Sequence, residues 1–309
     1  MIKVTILGNN SALPAHGRHP TAQAVEIREQ VFLIDCGEAT QIQMQRYNVR
    51  RKRINHIFIS HLHGDHYFGL IGLITSMGLM GRTAPLYLFG PPALREIIRL
   101  HLDAGSTLLP FEIVFTPIEE GQTSVLIDHY HYAVSCFPVE HRIPCHGFVL
   151  TAKGSGRRIV PERCRQLEIP AAFYNQLKKG ADYLRRDGLL IKNHEVTVDG
   201  PPSIRYAFCA DTRYTDSFLP YIKEADAIYH ESTYLKDNVE KAWERFHCTA
   251  EQAAQIALKA GVGRLFLGHF SAKYSDLSPF LAEARSVFEA TELSSEGAVF
   301  EIIAKKISG

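Results

Sequence analysis

This sequence predicts an α/β protein whose sheets are covered by helices on their outer faces, and three observations carry that reading. Short apolar or alternating runs of strand length recur along the chain, and helical patterns sit between them. Strands crowd the first half, while strand and helix alternate in the second. The strand runs are 2–7, 23–27, 31–35, 56–60, 85–89, 111–116, 131–137, 146–151, 204–209, 226–230, 264–268 and 297–303. The helical patterns fall at about 38–46, 65–80, 91–103, 215–223, 249–260 and 277–290. The pattern at 249–260 has the sharpest ends. Thr249 and Gln252 form a capping box, Ala253, Ile256, Ala257 and Ala260 mark an apolar face, and Gly261 closes it. His247 therefore stands just ahead of a helix N-terminus.

Charge and composition narrow the function. The 309 residues hold 34 Lys+Arg against 33 Asp+Glu, for a net charge of +1. Non-specific coating of nucleic acid needs a large cation excess, so that class is excluded, while a local basic patch is not. A hydrophobic share of 46% belongs to a folded chain rather than a disordered one. The run Met1-Ile2-Lys3-Val4-Thr5-Ile6-Leu7-Gly8 is too short for a secretory signal, and no run of 18 apolar residues occurs. A cytoplasmic protein without a membrane segment is expected. Cys36, Cys136, Cys145, Cys164, Cys209 and Cys248 are dispersed, with no C-x-x-C pair, and read as reduced, buried thiols. A single domain is expected over 1–309, with one insertion. Residues 153–192 interrupt the strand series and carry ten cations against four acids, so the remainder of the chain is net negative. The segment reads as a projection from the core, with a solvated loop as the plainer alternative.

Fifteen histidines pose a sharper question, because histidine is the commonest metal ligand and the usual acid–base group near neutral pH. They are grouped at 60–66, which reads Ser60-His61-Leu62-His63-Gly64-Asp65-His66. A strand run feeds this block and an apolar helical pattern follows it. In extended backbone His61 and His63 point to one side, while Asp65 and His66, beyond Gly64, point to a neighbouring position. Imidazole and carboxylate donors suit zinc at about four ligands per ion. A polar turn of satisfied histidines is a poor account of this density. Four ligands are too few for two ions. His141 follows the strand run 131–137, Asp211 follows 204–209 and His269 follows 264–268. Each alone reads as a turn or cap residue. Three at equivalent strand ends, beside the block, point to one metal centre.

With the distal His, Asp and His, the block resembles the metallo-β-lactamase superfamily. Longer stretches resemble the ribonuclease Z family, endonucleases that remove 3′ trailers from precursor tRNA. They are Asp35-Cys36-Gly37-Glu38-Ala39-Thr40-Gln41, the 60–70 block, His230-Glu231-Ser232-Thr233, His247-Cys248-Thr249-Ala250-Glu251-Gln252-Ala253-Ala254 and Gly268-His269-Phe270-Ser271-Ala272-Lys273-Tyr274. The resemblance implies a metallo-β-lactamase-like αββα sandwich with a protruding basic arm, two Zn2+ ions per subunit, a homodimer, and precursor tRNA as partner. It implies His61, His63 and His141 on one zinc, Asp65, His66 and His269 on the other, and Asp211 bridging them. Two adjacent cations stabilise the attacking and leaving oxygens of a phosphodiester, and Asp65 would take the proton of the attacking water. The ribose oxygen is a poor leaving group, so a proton donor helps. His247 is the candidate, with Glu231 orienting it. A helix N-terminus lowers a histidine pKa and a glutamate raises it, and the sequence leaves that balance open. It also leaves open whether Glu231 merely caps Ser232 and Thr233.

The same resemblance implies that the arm at about 153–192 grips the tRNA elbow through phosphate contacts, with Lys178 and Lys179 as contacts, and that the loop carrying Arg18 meets the cleaved end of the RNA. A second basic run, Arg46 with Arg50-Arg51-Lys52-Arg53, reads as an acceptor-stem contact or as an ordinary charged loop. Two stretches depart from the family pattern. The arm has Ile169-Pro170-Ala171-Ala172-Phe173-Tyr174 where a Gly-Pro-rich turn is usual, and His19 stands where Asn commonly follows the arginine. Two readings compete with tRNA processing: a small-substrate phosphodiesterase of the same fold, and a non-catalytic, metal-stabilised RNA-binding protein. The ligand set and His247 favour hydrolysis, since a structural zinc closes with four ligands. His56, His101, His129, His131, His146, His194 and His230 read as ordinary packing or surface residues.

Overall fold

The computed structural model describes residues 1–304. In chain order its strands are β1 (Ile2–Gly8), β2 (Ala22–Ile27), β3 (Gln30–Ile34), β4 (Ile54–Phe58), β5 (Leu86–Gly90), β6 (Ile113–Pro117), β7 (Ser124–Asp128), β8 (Tyr132–Pro138) and β9 (His146–Ala152). Four two-residue strands lie in the insertion: β10 (Arg158–Ile159), β11 (Tyr183–Leu184), β12 (Leu190–Ile191) and β13 (Thr197–Val198). β14 (Ile204–Cys209), β15 (Ala227–Glu231), β16 (Leu265–Gly268), β17 (Thr291–Leu293) and β18 (Val299–Ile302) follow. They form two seven-stranded sheets, β18-β1-β2-β3-β4-β5-β6 and β17-β16-β15-β14-β9-β8-β7. β3 to β6 are parallel, as are β14 to β17. The parallel strands all present their C-terminal ends along one rim, and that rim carries the site.

Alternation along the strands builds the layers. Phe32 and Ile34 of β3, Phe58 of β4, and Val4 and Ile6 of β1 join Phe148, Tyr206, Phe208, Tyr229 and Phe266 in one core between the sheets. On the outer face of the first sheet, Val31, Leu33, Ile57 and Leu88 pack with Leu70, Leu73, Ile74 and Leu94 from the helices Leu70–Leu79 and Ala93–Ala104. On the outer face of the second, Val149, Ala207, Ile228 and Leu267 meet Ala253, Ile256, Ala257 and Phe280 from the helices Ala250–Ala260 and Ser278–Arg285. The four layers are the αββα sandwich expected. The predicted capping box is present: Thr249 Oγ1 accepts from the Gln252 N–H, Gln252 Oε1 accepts from the Thr249 N–H, and Gly261 ends the helix at φ 61°.

Several elements differ from expectation, each for a local reason. The pattern 65–80 is two helices, Gly64–Tyr67 and Leu70–Leu79. The Gly69 N–H donates to the Cys36 carbonyl at 2.9 Å instead of to its own helix, and a Cβ on Gly69 would meet the Gly37 carbonyl at 2.1 Å. The pattern 215–223 shrinks to one turn, Leu219–Ile222, with Pro220 in its first turn. Strand β7 went unpredicted, being a half-exposed edge strand with weak alternation. All six cysteines are free and buried, as expected.

The insertion has a small core of its own, made of Cys164, Ile169, Leu177, Ile191 and Val196. It closes at the pairing of β10 with β13, Arg158 opposite Val198, so the folded segment runs past residue 192. The pairing of its charges changes the count made from sequence. Lys153 pairs with Asp128, Arg157 with Asp199, Arg165 with Glu162, Arg185 with Glu168 and Asp187, and Lys192 with Asp182. Arg158, Arg163, Lys178, Lys179 and Arg186 are exposed and, among the described residues, have no ion-pair partner.

Candidate metal centre

The strand ends of both sheets converge on one cluster. β4 delivers His61, His63, Asp65 and His66, β8 delivers His141, β14 delivers Asp211 and β16 delivers His269. Two groups of ligand atoms are close enough to hold an ion: His61, His63, His141 and Asp211, and beside them Asp65, His66 and His269. In the first, His63 Nδ1 lies 3.0 Å from His61 Nε2 and 3.1 Å from His141 Nε2. In the second, His66 Nε2 and His269 Nε2 are 3.3 Å apart, and Asp65 Oδ2 lies 3.5 Å from the former and 3.3 Å from the latter. Asp211 Oδ2 stands between the groups, 3.7 Å from His61 Nε2, 3.5 Å from His66 Nε2 and 3.3 Å from His269 Nε2. All seven residues predicted as ligands are thus brought together.

The outward hydrogen bonds test whether this cluster suits a metal. His66 Nδ1 donates to Asp35 Oδ2 at 2.7 Å, and His141 Nδ1 donates to the Phe246 carbonyl at 3.0 Å. Ser60 Oγ donates to Asp35 at 2.9 Å and so accepts from His61 Nδ1 at 3.0 Å. Thr233 Oγ1 donates to Glu231 at 2.8 Å and so accepts from His269 Nδ1 at 3.0 Å. Each of these four rings keeps its proton on the outward nitrogen, so lone pairs face lone pairs at the centre. That arrangement is repulsive unless a cation sits among them. Burial also pushes His61 well below its ordinary pKa and His141 down to about 4, which favours the neutral, ligating form. The donor set fits divalent metal.

Asp35 went unassigned in the sequence, although it accepts from His66 Nδ1, Ser60 N at 2.8 Å and Ser60 Oγ. It is fully buried and adopts φ 55°, and His269 adopts φ 58°. Left-handed backbone at two non-glycine residues costs energy and is typical of functional sites. Ala12, at φ 63°, donates its N–H to Asp65 Oδ2 at 2.7 Å.

His247 and Glu231 meet as expected. His247 Nδ1 lies 2.9 Å from Glu231 Oε1. Glu231 also accepts from the Cys248 N–H and from Thr233 N and Oγ1 at 2.8–2.9 Å, so it caps Thr233 and holds His247 at once. Burial pulls the His247 pKa down, but the Glu231 carboxylate prevails and leaves it above its ordinary value. His247 lines a cavity of about 730 Å³ together with His63, Asp65, Asp211 and His269. Arg142 and Arg245 line it too, and neither was singled out from sequence.

The predicted substrate contacts separate. Lys178 and Lys179 are exposed on the insertion. Arg18 donates to Asn10 Oδ1 at 2.9 Å and to the Tyr274 and Ser275 carbonyls at 2.6 and 3.4 Å. These bonds latch the 9–20 loop to the segment after His269. The run Arg50–Arg53 precedes β4, whose far end leads to His61. At about 3.3 Å per residue it lies at the opposite end of the sheet, lining a separate cavity of about 570 Å³ with Met77 and Met80.

Comparison with known proteins agrees with this geometry. A family model described as anti-Pycsar protein Apyc1 matches residues 2–143. Ribonuclease Z of Parabacteroides distasonis is 41% identical over 294 residues, spanning 95% of this chain and 97% of that protein. Ribonuclease Z of Cytophaga hutchinsonii is 43% identical over 304 residues, spanning 96% and 95%. The crystal structure of the short form of human tRNase Z superposes with a TM-score of 0.71 at 25% identity, covering 97% of this chain and 99% of that one. The metallo-β-lactamase fold protein YhfI of Bacillus subtilis, at 19% identity and a TM-score of 0.67, shares the fold. On the strength of the near-full-length relatives, the chain belongs to the ribonuclease Z family.

Proposed function

We propose that this protein is a zinc-dependent endoribonuclease that cuts precursor tRNA at its 3′ end, removes the trailer and leaves a 3′-hydroxyl. The observation that carries the reading is His247, held by the buried Glu231 and lining the same cavity as His63, Asp65, Asp211 and His269. A site built only to hold metal has no use for a buried carboxylate that raises the pKa of a cavity-lining histidine.

His61, His63 and His141 would hold one ion and Asp65, His66 and His269 the other, with Asp211 shared, giving two per subunit. When bound, the ions supply positive charge that stabilises the attacking and leaving oxygens of the phosphodiester. Asp65 accepts the proton of the attacking water. The Ala12 N–H fixes its orientation. His247 donates a proton to the departing ribose oxygen, and Glu231 keeps the ring turned to the cavity. Arg142 and Arg245 attract the backbone phosphates flanking the cut. The insertion is an arm that holds the tRNA away from the cleft through Lys178, Lys179 and its other unpaired cations. Arg18 acts on Asp65 indirectly, by fixing the loop that contains Ala12.

The subunit pairs as a homodimer. Ile42 and Leu79, outside the cleft, are 63% and 90% exposed, apolar side chains that a second copy would cover. Among the described residues no helix is long and apolar enough to cross a membrane, in keeping with a cytoplasmic enzyme. The test is incubation of the zinc-loaded protein with a precursor tRNA and with bis(p-nitrophenyl) phosphate, followed by mapping of RNA ends. A single cut at the trailer junction is expected. Turnover of the ester without RNA cleavage would favour a small-substrate phosphodiesterase, and zinc binding without either would refute catalysis.

A further inference from the structure

Arg213, two residues after Asp211, is held between two aromatic rings. Its Cζ lies 3.7 Å from the centroid of Phe246 and 4.4 Å from that of Trp243. Its Nε lies 3.2 Å from Glu140 Oε1, and its N–H donates to the Glu140 carbonyl at 2.9 Å. One side chain thus joins three segments: its own, next to Asp211; the one ending in Glu140, next to His141; and the one ending in Phe246, next to His247. Phe246 adopts φ 61°, a costly conformation for a bulky residue that outside contacts must sustain. Its carbonyl accepts from His141 Nδ1, so the backbone that Arg213 steadies is the backbone that aims the His141 ring.

We propose that Arg213 is a positioning residue: stacked between Phe246 and Trp243, it fixes the Phe246 carbonyl that orients His141 and presents His247 to the cleft. Only a planar cation does this. Guanidinium offers two faces to two rings while its charge stays within ion-pair distance of Glu140, and an ammonium offers no face. The inference rests on the roles given above to His141 and His247, and its test reads the metal and the stack separately from activity.

Trp243 is the chain's only tryptophan and is 53% exposed, so its emission reports the stack directly. Arg213→Ala and Arg213→Lys are compared with the parent by tryptophan emission, and these two and Trp243→Phe by zinc affinity against a chelator and by kcat and KM on precursor tRNA and on bis(p-nitrophenyl) phosphate. Arg213→Ala should change the emission, weaken zinc binding about tenfold and lower kcat about tenfold on both substrates, as loss of sub-ångström alignment does. KM for RNA should move less than about twofold, because Arg213 touches no substrate. Arg213→Lys should recover only part of the loss, and Trp243→Phe, which keeps an aromatic face, most of it. Should Arg213→Ala fail to fold, Trp243→Ala removes one face alone and should lower zinc affinity and kcat in the same way at about threefold. Unchanged emission in Arg213→Ala, or unchanged zinc affinity and kcat in folded protein, overturns the proposal. So does a loss confined to the KM for RNA. If the parent binds zinc but cleaves neither substrate, the functional reading fails while emission and zinc affinity still decide this one.

Discussion

Replacing His247 by alanine separates a proton donor from a structural histidine, because two substrates of one site differ in what their leaving groups require. A ribose oxygen departs as a strongly basic alkoxide unless protonated, whereas p-nitrophenolate is stable near neutral pH. A positioned general acid contributes about 10²- to 10⁴-fold, or roughly 3–5 kcal/mol of barrier. His247→Ala should therefore lower kcat on precursor tRNA at least about 100-fold. Turnover of bis(p-nitrophenyl) phosphate should fall less than about tenfold. The structure limits collateral damage, since Glu231 keeps its bonds from Cys248 N and from Thr233 N and Oγ1 when the imidazole is gone. The variant should stay folded, destabilised by about 1.5–3 kcal/mol for the lost charge-assisted bond. pH adds a second arm. The donor is the protonated form, and Glu231 raises the His247 pKa against the pull of burial. RNA cleavage should decline as pH rises through that raised value, and Glu231→Gln should move the decline to lower pH. Steady-state rates on both substrates across pH check this. Equal losses on the two substrates, or an alkaline limb indifferent to Glu231→Gln, would refute His247 as the acid.

Asp35→Asn should weaken zinc binding about 10- to 100-fold, measured by chelator competition, because Asp35 fixes the ring of His66 and anchors Ser60 behind His61. Lys178→Glu with Lys179→Glu should raise the KM for precursor tRNA, reduce the salt slope of RNA binding by about 2, and leave turnover of the small ester unchanged. Removing metal should lower thermal stability: at an ion concentration about 100 times Kd, ligation contributes about 2.7 kcal/mol, which a melting scan with and without chelator detects. The shift should vanish in His61→Ala.

The legible parts of the molecule were those whose signals are local. The 60–66 block announces itself because four ligands lie within six residues at a strand-to-helix turn, and the helix 250–260 because both its caps are written beside its apolar face. His141, Asp211 and His269 could be found because strands deliver residues at their ends, so position along an element was enough. The supporting groups were hidden because their partners are remote. Asp35 reaches His66 across 31 positions, and Arg18 reaches Tyr274 across 256. Thr233 matters only because the fold sets it between Glu231 and His269. Charge misled for the same reason. Ten cations in the insertion looked free, yet Lys153 and Arg157 are paired with Asp128 and Asp199, outside the window counted.

The metal centre draws ligands from both sheets, and this has a consequence for synthesis. His61, His63, Asp65 and His66 emerge from the ribosome early, but they line a half-site until Asp211 and then His269 arrive on the second sheet. The first sheet itself is unfinished until β18 returns to pair with β1. A nascent chain therefore carries no complete site until both sheets have been made, and cleavage competence waits on the second sheet.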